Sequence, residues 1–161
     1  MSMVILKIVL VGIGACAVFD LWQRIFQKIT GVPPSDWAAV GRWCLGVVGR
    51  GRLIGYDLAD MPTLPRELWV GWLVHYSVAV GYAVAYAVLM ATGVLDAGFV
   101  DGLLFGVSSV LVPWLFFLPC LGKGMFARLT PNPPLVCSLA LMMHSLFGVS
   151  IGLGFAMLAP L

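Results

Sequence analysis

Four long apolar segments alternate with shorter polar segments along the chain. The apolar segments cover about residues 3–22, 68–91, 99–118 and 135–158. Each is close to the ~20 residues that a helix needs to cross the ~30 Å hydrocarbon core of a bilayer. Because hydrocarbon offers no water to backbone N–H and C=O groups, a spanning segment must satisfy its own backbone, as a helix does. A transmembrane barrel requires alternating polar and apolar residues, and these segments do not alternate.

The pattern therefore predicts an all-α integral membrane protein, a four-transmembrane-helix bundle. Composition agrees, because 61% of the 161 residues are hydrophobic and 10% are charged, whereas a soluble domain is about half apolar and about a quarter charged. The four segments and their connections use the whole length, so we expect one membrane domain over residues 1–161. We expect the spans to be surrounded by the lipid bilayer. No nucleic-acid-binding motif occurs, so we expect no nucleic-acid partner.

The positive charges indicate the orientation of the spans. Of the nine lysines and arginines, all except Lys7 fall in the first or the third connection between spans. These residues are Arg24, Lys28, Arg42, Arg50, Arg52, Arg66, Lys123 and Arg128. With four spans, both connections face the same side, and the positive-inside rule makes that side cytoplasmic. We therefore predict that both termini face outward.

The long first connection, about residues 23–67, contains the stretch "PPSDWAAVGRWCLGVV". The two prolines end the preceding helix, and Ser35 or Asp36 can cap a short amphipathic helix. Its apolar positions recur at helical spacing at Trp37, Val40, Cys44 and Val47. Two settings remain open for this helix. It lies at the headgroup level with Arg42 towards lipid phosphate, or it packs on the inner ends of the spans.

Three ionisable residues lie inside the predicted spans, namely Asp20, His75 and His144. All three fall in the cytoplasmic half of the membrane, counted from the inner end of each segment. Each shares a helical stripe with small or aromatic residues that favour helix contact. Asp20 aligns with Gly12 and Cys16, His75 with Tyr82, and His144 with Gly148 and Gly152. Buried ionisable groups find partners in membranes, so we expect one polar cluster.

The stretch "LGKGMFARLTPNPP" forms the turn between the third and fourth segments. Its cations, Lys123 and Arg128, hold the turn on the cytoplasmic side, and Thr130 or Asn132 can cap the next helix. In the simpler interpretation, the turn is a rigid hairpin whose cations only set the membrane topology. The alternative places Lys123, Arg128 and Asn132 at the rim of a ligand site over Asp20, His75 and His144, with Tyr82 on its wall.

Several motifs resemble one family of bacterial membrane proteins, domain of unknown function 2938. The matching motifs are "FDLWQ", "GRW", "HYSVAVGYA", "GKGMFARLTPNPP" and "HSLFG", and they cover nearly the whole chain. The resemblance implies a four-span bacterial membrane protein, and with the cation distribution we expect it in the bacterial inner (cytoplasmic) membrane. It implies no activity, so it assigns no catalytic residue.

Three classes of function agree with this pattern, and we expect the first, with the other two as alternatives. The first is a transport or binding module for a small molecule or ion, which needs an oligomer that glycine-rich helix faces would mediate. The second is a metal- or haem-binding enzyme that uses Asp20, His75 and His144 as ligands. No haem motif accompanies the histidines, and no particular cofactor follows from the sequence. The third is a structural or accessory subunit of a larger complex, in which these residues only bond to each other.

Overall fold

The computed structural model describes residues 2–51, 53–54, 58 and 60–158. It contains five helices: α1 (Ser2–Thr30), α2 (Trp37–Arg50), α3 (Glu67–Ala91), α4 (Phe99–Ser109) and α5 (Pro133–Leu158). Beyond α4, a π-helical segment at Pro113–Phe117 and a helical turn at Leu118–Cys120 extend the same span. The described residues form no strand. The predicted all-α class is confirmed.

Four of these helical segments are long and apolar enough to cross a membrane. They are Met3–Thr30, Glu67–Ala91, Phe99–Cys120 and Pro133–Leu158. The protein is therefore a multi-pass membrane protein, as the apolar pattern predicts. The last three segments begin and end within about two residues of the predicted bounds, which is the usual uncertainty of helix ends.

The first helix is longer than the sequence pattern indicates. It continues to Thr30, about 12 Å beyond the predicted end at residue 22. The stretch "QRIFQKIT" contains no glycine or proline, so nothing in it stops a helix. The helix ends at Gly31, which has a φ of 74° and whose N–H donates to the Gln27 carbonyl. The first connection therefore starts as helix and becomes irregular only after residue 30.

The described residues group into two compact units. The first unit comprises residues 2–35, 76–109 and 142–158, and so contains α1, α4 and the larger parts of α3 and α5. It is a small four-helix bundle. Its buried core consists of Val11, Ala15, Cys16, Ala79, Tyr86, Phe147 and Ile151.

Glycines bring α4 and α5 together within the first unit. Gly148 lies so close to α4 that a Cβ there would meet the Gly102 carbonyl oxygen and the Gly106 backbone. Gly152 is equally close to Gly98 and Gly102. The predicted close contact at Gly148 and Gly152 is confirmed as a contact within the chain. An oligomer through glycine-rich faces stays a prediction, and it would need faces other than this one.

The second unit comprises residues 36–75 and 110–141. In it, α2 packs on the first turns of α3, where Gly41 and Gly71 let the two backbones touch. Asp36 caps α2 by accepting from the Ala39 N–H at 3.0 Å, as predicted. Arg42 binds the Glu67 carboxylate through Nε and Nη2, each at 2.8 Å. Of the two settings left open for α2, this geometry favours packing on the ends of the spans, because the Arg42 guanidinium holds a carboxylate of the same chain.

The second unit also contains the turn after the third span. Asn132 caps α5, since its side-chain oxygen accepts from the Leu135 N–H at 3.2 Å, which confirms one of the two predicted caps. Pro133 and Pro134 open the helix, where their missing N–H groups cost nothing. Arg52, one of the cations used to orient the spans, lies outside the described residues.

Candidate functional site

The predicted site residues fall in both units. Asp20, Tyr82 and His144 belong to the first unit, and His75 belongs to the second. Lys123, Arg128 and Asn132 lie in the turn of the second unit. The geometry of each group is described within its own unit.

Asp20 meets a tyrosine of α3. The Tyr76 hydroxyl donates to Asp20 Oδ2 at 3.0 Å. Asp20 and Tyr76 are both half-buried, and Cys16 lies one turn before Asp20 and is fully buried. The Cys16 sulfur and an Asp20 carboxylate oxygen lie within 4.8 Å of each other. A carboxylate, a phenol and a thiol therefore converge where α1 meets α3.

Gln23 adds an amide to the same face of α1, one turn beyond Asp20. Its side chain is only 6% exposed. The Ser35 N–H donates to Gln23 Oε1 at 2.6 Å, and this bond assigns the oxygen and nitrogen of the amide. The amide nitrogen, Nε2, is buried and has no partner among the described residues. Sequence reasoning missed Gln23, although its i+3 spacing from Asp20 was a usable signal.

His144 has different partners. Its Nδ1 lies 2.9 Å from the Ser109 hydroxyl, and that hydroxyl donates to the Gly106 carbonyl at 2.8 Å. A hydroxyl carries a single hydrogen, so the tautomer of His144 decides whether Ser109 donates to Nδ1 or accepts from it. The Tyr82 ring packs edge-on to the imidazole at 5.9 Å, and the Tyr82 hydroxyl reaches the Ser109 carbonyl at 3.4 Å. Tyr82 is thus part of the His144 surroundings.

Within the first unit, Asp20 and His144 are held at two levels of α3. Asp20 bonds to Tyr76, and His144 packs against Tyr82. Six residues of helix separate these tyrosines, which is a rise of about 9 Å. The single cluster of Asp20, His75 and His144 stays a prediction.

His75 is held by aromatic side chains of the second unit. Its ring stacks on Trp37 with the centroids 3.7 Å apart and the planes at 21°. Trp72 lies at 5.8 Å. The close stacking fixes the plane of the imidazole and leaves its ring nitrogens directed along that plane.

In the turn, Lys123, Arg128 and Asn132 are exposed. Asn132 uses its side-chain oxygen as the α5 cap, which leaves its amide hydrogens for other partners. Lys123 and Arg128 belong to one closed turn, because the Leu129 N–H donates to the Lys123 carbonyl at 3.0 Å.

Comparison with known proteins points to one family. Residues 9–158 match the family model described as "Protein of unknown function (DUF2938)". No curated protein and no solved structure matches the chain.

Proposed function

Since the chain belongs to the family of unknown function DUF2938, which matches residues 9–158, we propose its role from its own polar residues. The protein is a membrane module that binds or transports a small polar solute or ion. Its site lies on α1 and α3 around Asp20, Tyr76 and Gln23. Transport by four spans also calls for an oligomer.

The observation that carries this proposal is the unpartnered amide of Gln23. Leaving a buried donor unsatisfied costs about 1–3 kcal/mol, and a carboxylate within a span adds about 2.5–3.5 kcal/mol on insertion scales. Asp20 and Gln23 lie one turn apart on one helix face. Both costs fall on the same turn of α1, and the Tyr76 hydroxyl that bonds to Asp20 leaves the Gln23 donor unsatisfied.

The ligand chemistry follows from the two groups. Gln23 Nε2 needs a hydrogen-bond acceptor, and the Asp20 carboxylate favours a positive charge or a donor. A solute that combines an ammonium with a nearby carbonyl matches both groups. Glycinamide is the smallest simple probe with this combination. Ethylammonium lacks the carbonyl, and acetamide lacks the charge.

We expect glycinamide to raise the thermal unfolding temperature of the purified full chain more than ethylammonium or acetamide does. Saturating ligand stabilises a folded protein, by about 2.7 kcal/mol at a hundred times Kd. Asp20→Asn should remove most of the glycinamide effect, and Gln23→Leu should reduce it to that of ethylammonium. Gln27→Leu is the matched control, because Gln27 lies one turn further along α1 and is exposed. Equal stabilisation of wild type and Asp20→Asn by all three probes would refute the assignment.

A metal-binding role is the second candidate, because Cys16 and Asp20 bring a thiol and a carboxylate within 4.8 Å. Such donors suit Zn²⁺. Zn²⁺ binding that is lost in Cys16→Ser would favour this role, and His75→Ala and His144→Ala would test whether the histidines contribute. The third class, an accessory subunit, would instead copurify with a fixed larger partner.

We also propose that the protein resides in a bacterial inner membrane with both termini outside. The segregation of cations supports this orientation. A C-terminal alkaline phosphatase fusion should be active, since that enzyme folds only outside the cytoplasm, and a C-terminal fluorescent-protein fusion should be dark. The opposite pair of results would reverse the orientation and would move the Asp20 site to the outer half of the membrane.

A further inference from the structure

The turn between the third and fourth spans carries two cations, Lys123 and Arg128. The Leu129 N–H closes it onto the Lys123 carbonyl at 3.0 Å, and the Thr130 hydroxyl donates to the Ala127 carbonyl at 2.7 Å. Gly124 has a φ of 72°, and a Cβ there would lie 2.8 Å from Arg128 Cγ. The stem of Arg128 therefore lies over Gly124, next to Lys123 in the chain.

Among the described residues, no carboxylate pairs with these two cations. Residues 102–161 contain no aspartate and no glutamate. Within the described part of the chain, neither Lys123 nor Arg128 forms a salt bridge, whereas Arg42 and Glu67 do. Both side chains are exposed, so they are available to an external anion.

Three exposed apolar side chains accompany the cations. Met125 is 47% exposed, Phe126 48% and Leu129 58%. The Phe126 ring packs on Trp114, with the centroids 5.6 Å apart, which holds the aromatic group at the surface of the turn. Inorganic phosphate would match the charges and leave these side chains uncovered. A phospholipid would match both, because its phosphate and acyl chains are adjacent.

We propose that residues 123–129 bind an anionic phospholipid, with the phosphate between Lys123 and Arg128 and the acyl region against Met125, Phe126 and Leu129. None of these residues belongs to the set proposed to bind the solute, so the inference goes beyond the proposed function. It adds a lipid-binding role to residues whose charges also serve as topology signals.

Native mass spectrometry of the full chain in a neutral detergent tests this site by titration with phosphatidylglycerol. Lys123→Gln/Arg128→Gln is expected to weaken binding roughly thirtyfold. Each cation near an anionic surface contributes about a fivefold change in affinity, and the double variant removes two. Arg24→Gln/Lys28→Gln is the matched control, because it removes two exposed cations from α1. It should weaken binding by less than about threefold.

Two further measurements separate charge from folding and lipid from free phosphate. Lys123→Arg/Arg128→Lys keeps both charges and should retain lipid binding, and all variants should unfold at the wild-type temperature without added lipid. Phosphatidylcholine should bind more weakly than phosphatidylglycerol, and millimolar inorganic phosphate should not displace the lipid. Equal losses in the Gln double variant and its control would overturn the site. Displacement by inorganic phosphate would overturn its assignment to lipid.

Discussion

Gly148→Ala is expected to destabilise the protein by about 3 kcal/mol or more, the upper range for overpacking a close contact. The new methyl group would meet the Gly102 carbonyl oxygen and the Gly106 backbone. Backbone atoms cannot rotate away as a side chain can, so α4 and α5 must separate. Separation would also break the bond between Ser109 and His144, which spans these helices. Thermal unfolding in detergent measures the loss.

Gly81→Ala is the matched control for this prediction. Gly81 also lies inside a helix, α3, but nothing lies within 4 Å of a Cβ built there. Alanine favours a helix over glycine by up to about 1 kcal/mol, so this variant should unfold at or above the wild-type temperature. If Gly148→Ala is as stable as Gly81→Ala, α4 and α5 do not make the contact described.

The helices were predictable because the relevant signals are local. Length and apolarity mark the four spans, and Asp36 and Asn132 stand where a cap is needed before a helix. The four-residue spacing of Gly148 and Gly152 predicts a close helix contact without naming the partner. The true end of α1 was missed because its polar last turns were interpreted as a loop, whereas Gly31 is the first residue that stops the helix.

The site was less predictable because its partners come from distant segments. Periodicity places Asp20 and His144 on interior faces, but it cannot pair Asp20 with Tyr76, 56 residues away, or His144 with Ser109, 35 residues away. Counting residues from the end of each span suggests that Asp20, His75 and His144 lie at one depth in the membrane. The register between helices decides which residues meet, and it depends on side-chain packing that a single sequence does not display.

The ion pair of Arg42 and Glu67 is another contact between distant segments that sequence periodicity could not predict. The two residues are 25 positions apart, and local spacing left two settings open for α2, one of which directs Arg42 towards lipid phosphate. In the structure their side chains are only 14% and 11% exposed, and Glu67 also accepts from the Leu64 N–H at 2.8 Å. Hydrogen bonding to Glu67 raises the pKa of Arg42, so the guanidinium remains charged. The pair joins α2 to the first turn of α3.

Arg42→Met and Glu67→Gln are each expected to lower the unfolding temperature more than the double variant Arg42→Met/Glu67→Gln does. Each single change leaves one charge enclosed without its partner, whereas the double change removes both charges. Glu67→Gln keeps one oxygen for the Leu64 N–H, but it loses the charge and one of the two acceptor oxygens that Arg42 uses. Arg24→Met controls for the loss of a cation, because Arg24 is exposed on α1. It should leave the unfolding temperature nearly unchanged. A double variant whose loss equals the sum of the two single losses would mean that the two charges are not coupled.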